Sequence, residues 1–132
     1  MSLAVTKKIR GYLISSDAVT TIVPKSDIKV GWTRITDNFP CIVITQAGGT
    51  DQGYLGYKTS PAGSKIRVEE SIFQIDIFSK NSRQETLEIA DAVVKTLISG
   101  GCRKDSDIEM YDDDTKLYRK TQTYFYRKFH DD

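Results

Sequence analysis

The sequence is short of the residues that most chemistry depends on. It holds one histidine, His130, close to the C-terminus. A general base needs a second group to orient it, and no residue at a recognisable spacing supplies one. It holds two cysteines, Cys41 and Cys102, in dissimilar contexts; they form neither a CxxC pair nor a disulfide framework, so they read as reduced thiols in a cytosolic setting. There is no excess of charge of either sign: 19 Lys+Arg stand against 18 Asp+Glu, a net +1. A chain so balanced has no overall field to draw in nucleic acid or an anionic membrane. Nor is there a long apolar run, since Cys41-Ile42-Val43-Ile44 falls far short of the roughly 20 residues that span a bilayer. The opening Met1-Ser2-Leu3-Ala4-Val5 precedes Lys7, Lys8 and Arg10, the reverse of the order in a secretory signal. No membrane partner is expected.

Motifs are equally scarce. The glycine-rich stretch contains neither GxxxxGK[ST] nor a GxGxxG leading into a helix, so it lacks the parts of a phosphate cradle. No HExxH and no GxSxG elbow occurs. The acidic residues Asp105, Asp107, Glu109, Asp112, Asp113 and Asp114 lack the ligand spacing and glycine of a calcium loop, and Asp is a preferred turn residue. We therefore expect no catalytic residue, no metal site and no cofactor, and read the protein as not an enzyme.

What the sequence does have is the make-up of one folded domain spanning 1–132. At 39% hydrophobic and 28% charged it can bury a core, and a chain of 132 residues is one domain's worth. Val5, Ile9, Tyr12 and Leu13 share one face of a helix over Leu3–Ile14. Ser15 or Ser16 is placed to cap a short second helix that Pro24 ends. Ile28–Trp32 alternates like a half-buried strand, and Pro40–Thr45 is apolar on both faces, as a central strand would be. Gln46–Lys65 gathers five glycines and a proline around Tyr54, Leu55 and Tyr57, which predicts a long loop.

Lys65–Ser79 reads as a long strand whose apolar phase changes between Ile66, Val68 and Phe73, Ile75, Ile77, predicting a bulge near Glu69-Glu70-Ser71. Ser82-Arg83-Gln84-Glu85 is a capping box. Leu87, Ala90, Val93, Val94, Leu97 and Ile98 follow as the buried face of a helix that Gly100-Gly101 stops. Ile108 and Met110 mark a short strand, Asp112-Asp113-Asp114 a turn, and Leu117–Phe129 a long strand paired with it. At about 3.3 Å per residue that last strand outruns a compact body of this size. The element order predicts α+β, with a mixed, mainly antiparallel sheet, helices packed on one face and a long β-hairpin loop.

Two features suggest partners. Tyr118, Arg119, Lys120, Tyr124, Tyr126, Arg127 and Lys128 form a basic and aromatic strand of the kind that can stack bases, although Tyr in strands usually packs and neighbouring acids cancel the field. A small nucleic-acid-binding module is therefore one alternative. The other feature is a pair of oppositely charged stretches. Asp105, Asp107, Asp112 and Asp113 precede Arg119, Lys120, Arg127 and Lys128, candidates either for contacts between subunits or for a charge ladder within one hairpin.

The layout as a whole resembles a known family. An N-terminal helix, Ser-Ser-Asp-Ala-Val with Val-Pro, the segment Asn38-Phe39-Pro40-Cys41-Ile42-Val43-Ile44, a variable loop, the strand Phe73–Ser79 and the helix with Ala90-Asp91-Ala92-Val93 are similar to the tail-completion and tail-terminator proteins of long-tailed bacteriophages, over about Ile9 to Phe129. The resemblance implies a structural virion protein of the tail or neck, assembled in the host cytoplasm. Such a protein forms a homo-oligomeric ring, a hexamer, on the major tail tube protein, ends tube polymerisation and offers the docking surface for the head-completion or connector protein. DNA would pass non-specifically through the ring. Ring closure needs two different complementary faces per subunit, for which the charged stretches are candidates, and the loop with Tyr54, Leu55 and Tyr57 is the expected assembly element. A head-side neck or connector protein is the second alternative.

Overall fold

The structure, a computed structural model, describes residues 2–31, 38–59 and 65–131, with side chains over 5–31, 38–46 and 70–127. The chain runs α1 (Ser2–Ile14), α2 (Asp17–Thr20), a 3-10 turn (Lys25–Asp27), β1 (Ile28–Val30), β2 (Cys41–Thr59), β3 (Lys65–Ser79), α3 (Arg83–Ser99), β4 (Cys102–Asp112) and β5 (Leu117–Asp131). The five strands form one sheet in the order β1-β2-β3-β5-β4. Only β1 and β2 pair in parallel; the other three pairings are antiparallel. The fold is α+β with a mixed, mainly antiparallel sheet, and its central strand is β3, with β2 one place nearer the β1 edge.

All three helices pack on one face. Val5, Ile9 and Leu13 of α1, Val19 and Val23 around α2, and Ile89, Ala90, Val93 and Leu97 of α3 close over Ile42 and Ile44 of β2, Phe73, Ile75 and Ile77 of β3 and Tyr124 of β5. Burying each large apolar side chain contributes roughly 1.5 to 3 kcal/mol, so this layer holds the domain together. On α3 the buried stripe is Thr86, Ile89, Ala90, Val93 and Leu97, and Ile98 is 55% exposed. The helix is thus turned slightly from the expected face: Ala90, Val93, Val94 and Leu97 meet the core as predicted, whereas Ile98 does not and Ile89 does.

The caps differ from expectation in one respect each. Ser82 Oγ accepts the Glu85 amide, but the Glu85 carboxylate takes Ser79 Oγ and Asn81 Nδ2 rather than the Ser82 amide. Ser16 is the N-cap of α2 without a side-chain cap bond; its hydroxyl accepts Thr96 Oγ1 and so ties α2 to α3. At the far end of α3, Gly101 takes φ +90°, which favours glycine, and an added Cβ on Gly100 would stand 2.9 Å from the Tyr12 ring.

The strands run longer than their apolar patterns. β2 does not stop at Thr45 but continues through most of the expected loop: Gly48 pairs with Ile72, Asp51 with Glu69 and Thr59 with Lys65. Residues 60–64 lie outside the described residues. The bulge expected in β3 is absent there, since β3 pairs with β5 without interruption from Ile66–Asp131 to Ser79–Tyr118. The extra residue lies on the neighbour, where Gln46 pairs with Phe73 and Gly48 with Ile72, leaving Ala47 over. Two more register shifts follow in β2, between Asp51 and Tyr54 and between Tyr54 and Thr59, and an extra residue, Asp105, lies in β4, which begins at Cys102 well before Ile108. Ile66 and Val68, whose phase prompted the expectation, have side chains outside the described set. Beyond the helix-packed core, β2, β3 and β5 continue together as a three-stranded ladder, which is how the long last strand is accommodated.

Candidate functional site

The second face of the sheet carries no helix. Its only buried apolar cluster is small among the described residues: Cys41, Val43, Phe78 and Leu117, with Phe39 at the edge. At its centre lies Asp76, fully buried. Asp76 Oδ1 accepts Arg119 Nε and Nη2 at 3.0 and 2.9 Å and Thr121 Oγ1 at 2.7 Å, and Oδ2 accepts Gln74 Nε2 at 2.8 Å. A buried carboxylate has to be satisfied in this way. The Arg119 guanidinium also lies over the Phe78 ring, 5.5 Å from its centre.

The charged residues singled out in the sequence are drawn into such internal pairs. Lys120 Nζ and Lys104 Nζ hold the two oxygens of Asp107 at 3.1 Å each. Asp107 sits partly desolvated, which opposes ionisation, yet the two lysines hold its carboxyl below the usual range. Arg127 pairs with Glu70 at 2.8 Å, and Arg83 of α3 pairs with Glu109, lowering the latter's pKa. The acidic and basic stretches thus meet on adjacent strands of one hairpin, a register the sequence could not reveal. Asp105 is the exposed bulged residue. Asp112 and Asp113 belong to the β4–β5 turn, where Asp112 Oδ1 accepts the Asp114 amide and its pKa is lowered by that bond. Lys116 closes the turn at φ +57°.

The aromatic residues of β5 are mostly packing residues. Tyr124 is fully buried, stacks on Phe73 at 5.4 Å and donates its hydroxyl to Gln122 Oε1; burial raises its pKa. Tyr126 accepts Lys8 Nζ at 2.8 Å, fastening α1 to the sheet and raising the Lys8 pKa. Tyr54, Leu55 and Tyr57 fall on the far part of β2, and Lys128 and His130 near the end of β5; their side chains lie outside the described set. The His130 backbone pairs with Arg67, so β5 continues as strand through this residue.

Reasoning from sequence missed the surface that remains. Ile108 and Met110 pair with Thr121 and Arg119, which puts them on the helix-free face, and they are 54% and 44% exposed. Beside them, Phe78, Met110, Leu117 and Arg119 form the floor of an open cleft of about 670 Å³ whose rim is the Asp112–Asp114 turn. The alternation of β4 marked these apolar positions, but only the sheet order shows that nothing covers them. Among the described residues there is no group of ligands that could hold a metal ion, and no helix is long and apolar enough to cross a membrane.

The site is therefore a sheet with one helix-covered face and one open face that carries an apolar cleft. The comparisons with known proteins give the chain a family. The model of the family described as tail completion protein gp17 matches residues 7–127, and the chain belongs to this family. It is a structural protein of phage tails. A chain in the solved structure of the "Virion of native gene transfer agent (GTA) particle" has a similar fold, with a TM-score of 0.66 at 10% identity, covering 98% of this chain and 96% of that one. No curated protein matches the sequence.

Proposed function

We propose that this protein is one domain, residues 1–132, that closes into a homo-oligomeric ring, a hexamer, on the last ring of the major tail tube protein. There it ends tube polymerisation and presents the docking surface for the head-completion or connector protein, with DNA passing through without specific contact. It belongs at the tail–neck junction of the virion, is assembled in the host cytoplasm, and performs no catalysis. The observation that carries this reading is the family match over nearly the whole chain. The geometry agrees: an open sheet face and a long edge strand, β4, are left for partners.

Electron microscopy of the purified protein, alone and mixed with tail tubes, tests the proposal. Rings of uniform size, or a subunit that becomes a ring on tube ends and stops their growth, are the expected outcomes. A protein that stays monomeric and binds no tube at any concentration would falsify it. Rings that bind head connectors and ignore tubes would favour a head-side neck protein.

A further inference from the structure

We propose that the ring contact is made by the C-terminal tip of α3 of one subunit, with Ile98 at its apex, entering the cleft at the β4–β5 turn of the next; this rests on the ring reading above. The exposed large apolar side chains among the described residues lie in two places. Met110 and Tyr111 line the cleft, with Ile108 one pair along β4 from Met110, and Ile98 stands apart at the end of α3. A contiguous exposed apolar patch is uncommon on a free surface and marks a contact site.

The two places match in shape and charge. The cleft has an apolar floor of Phe78, Met110 and Leu117 and a rim of Asp112, Asp113 and Asp114, which make no ion pair among the described residues. Ile98 projects beside Lys95, one turn earlier on the same side of the helix. Lys95 makes no ion pair among the described residues. An apolar tip with a cation beside it therefore meets an apolar floor flanked by carboxylates. The tip is also held in place before binding: Gly100 packs closely against the Tyr12 ring, and the chain passes through Gly101 directly into β4. Such preorganisation lowers the cost of association.

The placement makes this a contact between subunits. Ile98 lies by the start of β4 and the cleft lies at its other end, on the order of 35 Å away along an 11-residue strand. Tip and cleft cannot meet within one subunit. Each subunit offers both halves, so in the ring of the reading above the contact runs head-to-tail from one subunit to the next.

Cross-linking of the full chain tests this. One batch carries Ile98→Cys, another Met110→Cys, and a short bismaleimide is added to each and to their mixture, with and without tail tubes. The wild type is the control, because its own Cys41 and Cys102 are buried. We expect covalent dimers only in the mixture, and with the double variant a ladder that ends at the ring size. Lys95→Glu in the Ile98→Cys batch should lower the yield roughly tenfold, as loss of a contact anchor does, and Asp113→Lys in the other batch should restore it. If the wild type forms rings, alone or on tubes, while the mixture gives no dimer, this contact is wrong and the ring stands. An unchanged yield with Lys95→Glu overturns the charge match. If the wild type forms no ring under either condition, the contact and the ring reading fall together.

Discussion

Arg119 on β5 and Asp76 on β3 form a fork in which both the Nε and Nη2 of the arginine rest on one carboxylate oxygen, on the sheet face that no helix covers. Thr121 takes the same oxygen and Gln74 the other, so the buried charge is held by four donors from three neighbouring side chains. Asp76 is wholly buried while Arg119 is about one third exposed. Arg119 lines the cleft while Asp76 is out of reach of solvent, so this is not a surface ion pair.

Removing the arginine should cost more than removing an exposed charge. Arg119→Ala leaves the Asp76 carboxylate buried with its hydroxyl and amide donors alone, and we expect a loss of about 2 to 4 kcal/mol, below the fully buried limit because Arg119 is partly solvated. Asp76→Asn and Arg119→Met should be strongly coupled in a double-mutant cycle read by chemical denaturation. Strict additivity would show that the fork contributes nothing to stability.

The thiols give a prediction with a sign. Burial, with Asp27 adding and Lys29 opposing, pushes the Cys41 thiol up to about 11; burial does the same for Cys102, with Lys8 opposing. The folded chain keeps these protons after the unfolded chain has begun to lose its own, near 9.0. Their contribution is therefore intact below about pH 9 and is lost as the pH climbs towards 11. Maleimide labelling at pH 8 should be slow in the native protein and quick in denaturant. Rapid native labelling of either cysteine would contradict its burial.

Four single changes around α3 should separate clearly. Leu97→Ala removes a fully buried side chain and should cost about 2 to 5 kcal/mol. Ser82→Ala loses one cap bond, about 1 kcal/mol. Gly101→Ala meets no atom but forces a left-handed backbone on a residue with a side chain, for about 1 to 2 kcal/mol. Ile98→Ala should change stability by less than about 0.5 kcal/mol, because its site is exposed. Chemical denaturation gives the ranking. A cost for Ile98→Ala comparable to that of Leu97→Ala would mean the helix is rotated back to the face its sequence suggested.

That rotation shows where sequence was sufficient and where it was not. The α+β class, the α1 face, the limits of β3 and the stop at Gly100-Gly101 follow from local periodicity and turn chemistry, which lie within a few residues of each other. The β2 extension to Thr59 was hidden because glycines weaken strand propensity, and only pairing with β3 and its β5 ladder overrides them. The site was less legible. Asp76 alternates with Ile75 and Ile77 as a solvent-facing residue would, and its burial depends on Arg119, 43 residues later. Likewise Asp107 and Lys120 look like surface charges until the register sets them side by side.

The far end of the β2–β3 ladder supplies the last prediction. The residues first expected to form a loop are backbone-paired: Tyr54 with Arg67, and Thr59 with Lys65. Among the described side chains, the core residues of β2 and β3 are Ile42, Ile44, Phe73, Ile75 and Ile77, on the near side of the Ala47 bulge. A strand that runs past its own core contributes little to the stability of that core, and large side chains on it are typical anchors for a partner. We propose that Tyr54, Leu55 and Tyr57 serve assembly. Replacing all three with alanine, or deleting Thr50 to Ser60, should shift the melting temperature by no more than about 5 °C, since β3 keeps its uninterrupted pairing with β5. The same variants should fail to stop tail tubes or to join heads, as judged by electron micrographs of the assembly reaction. Should the triple variant melt far lower, these side chains belong to the fold; should it complete tails normally, the contact with the tube lies elsewhere on the subunit.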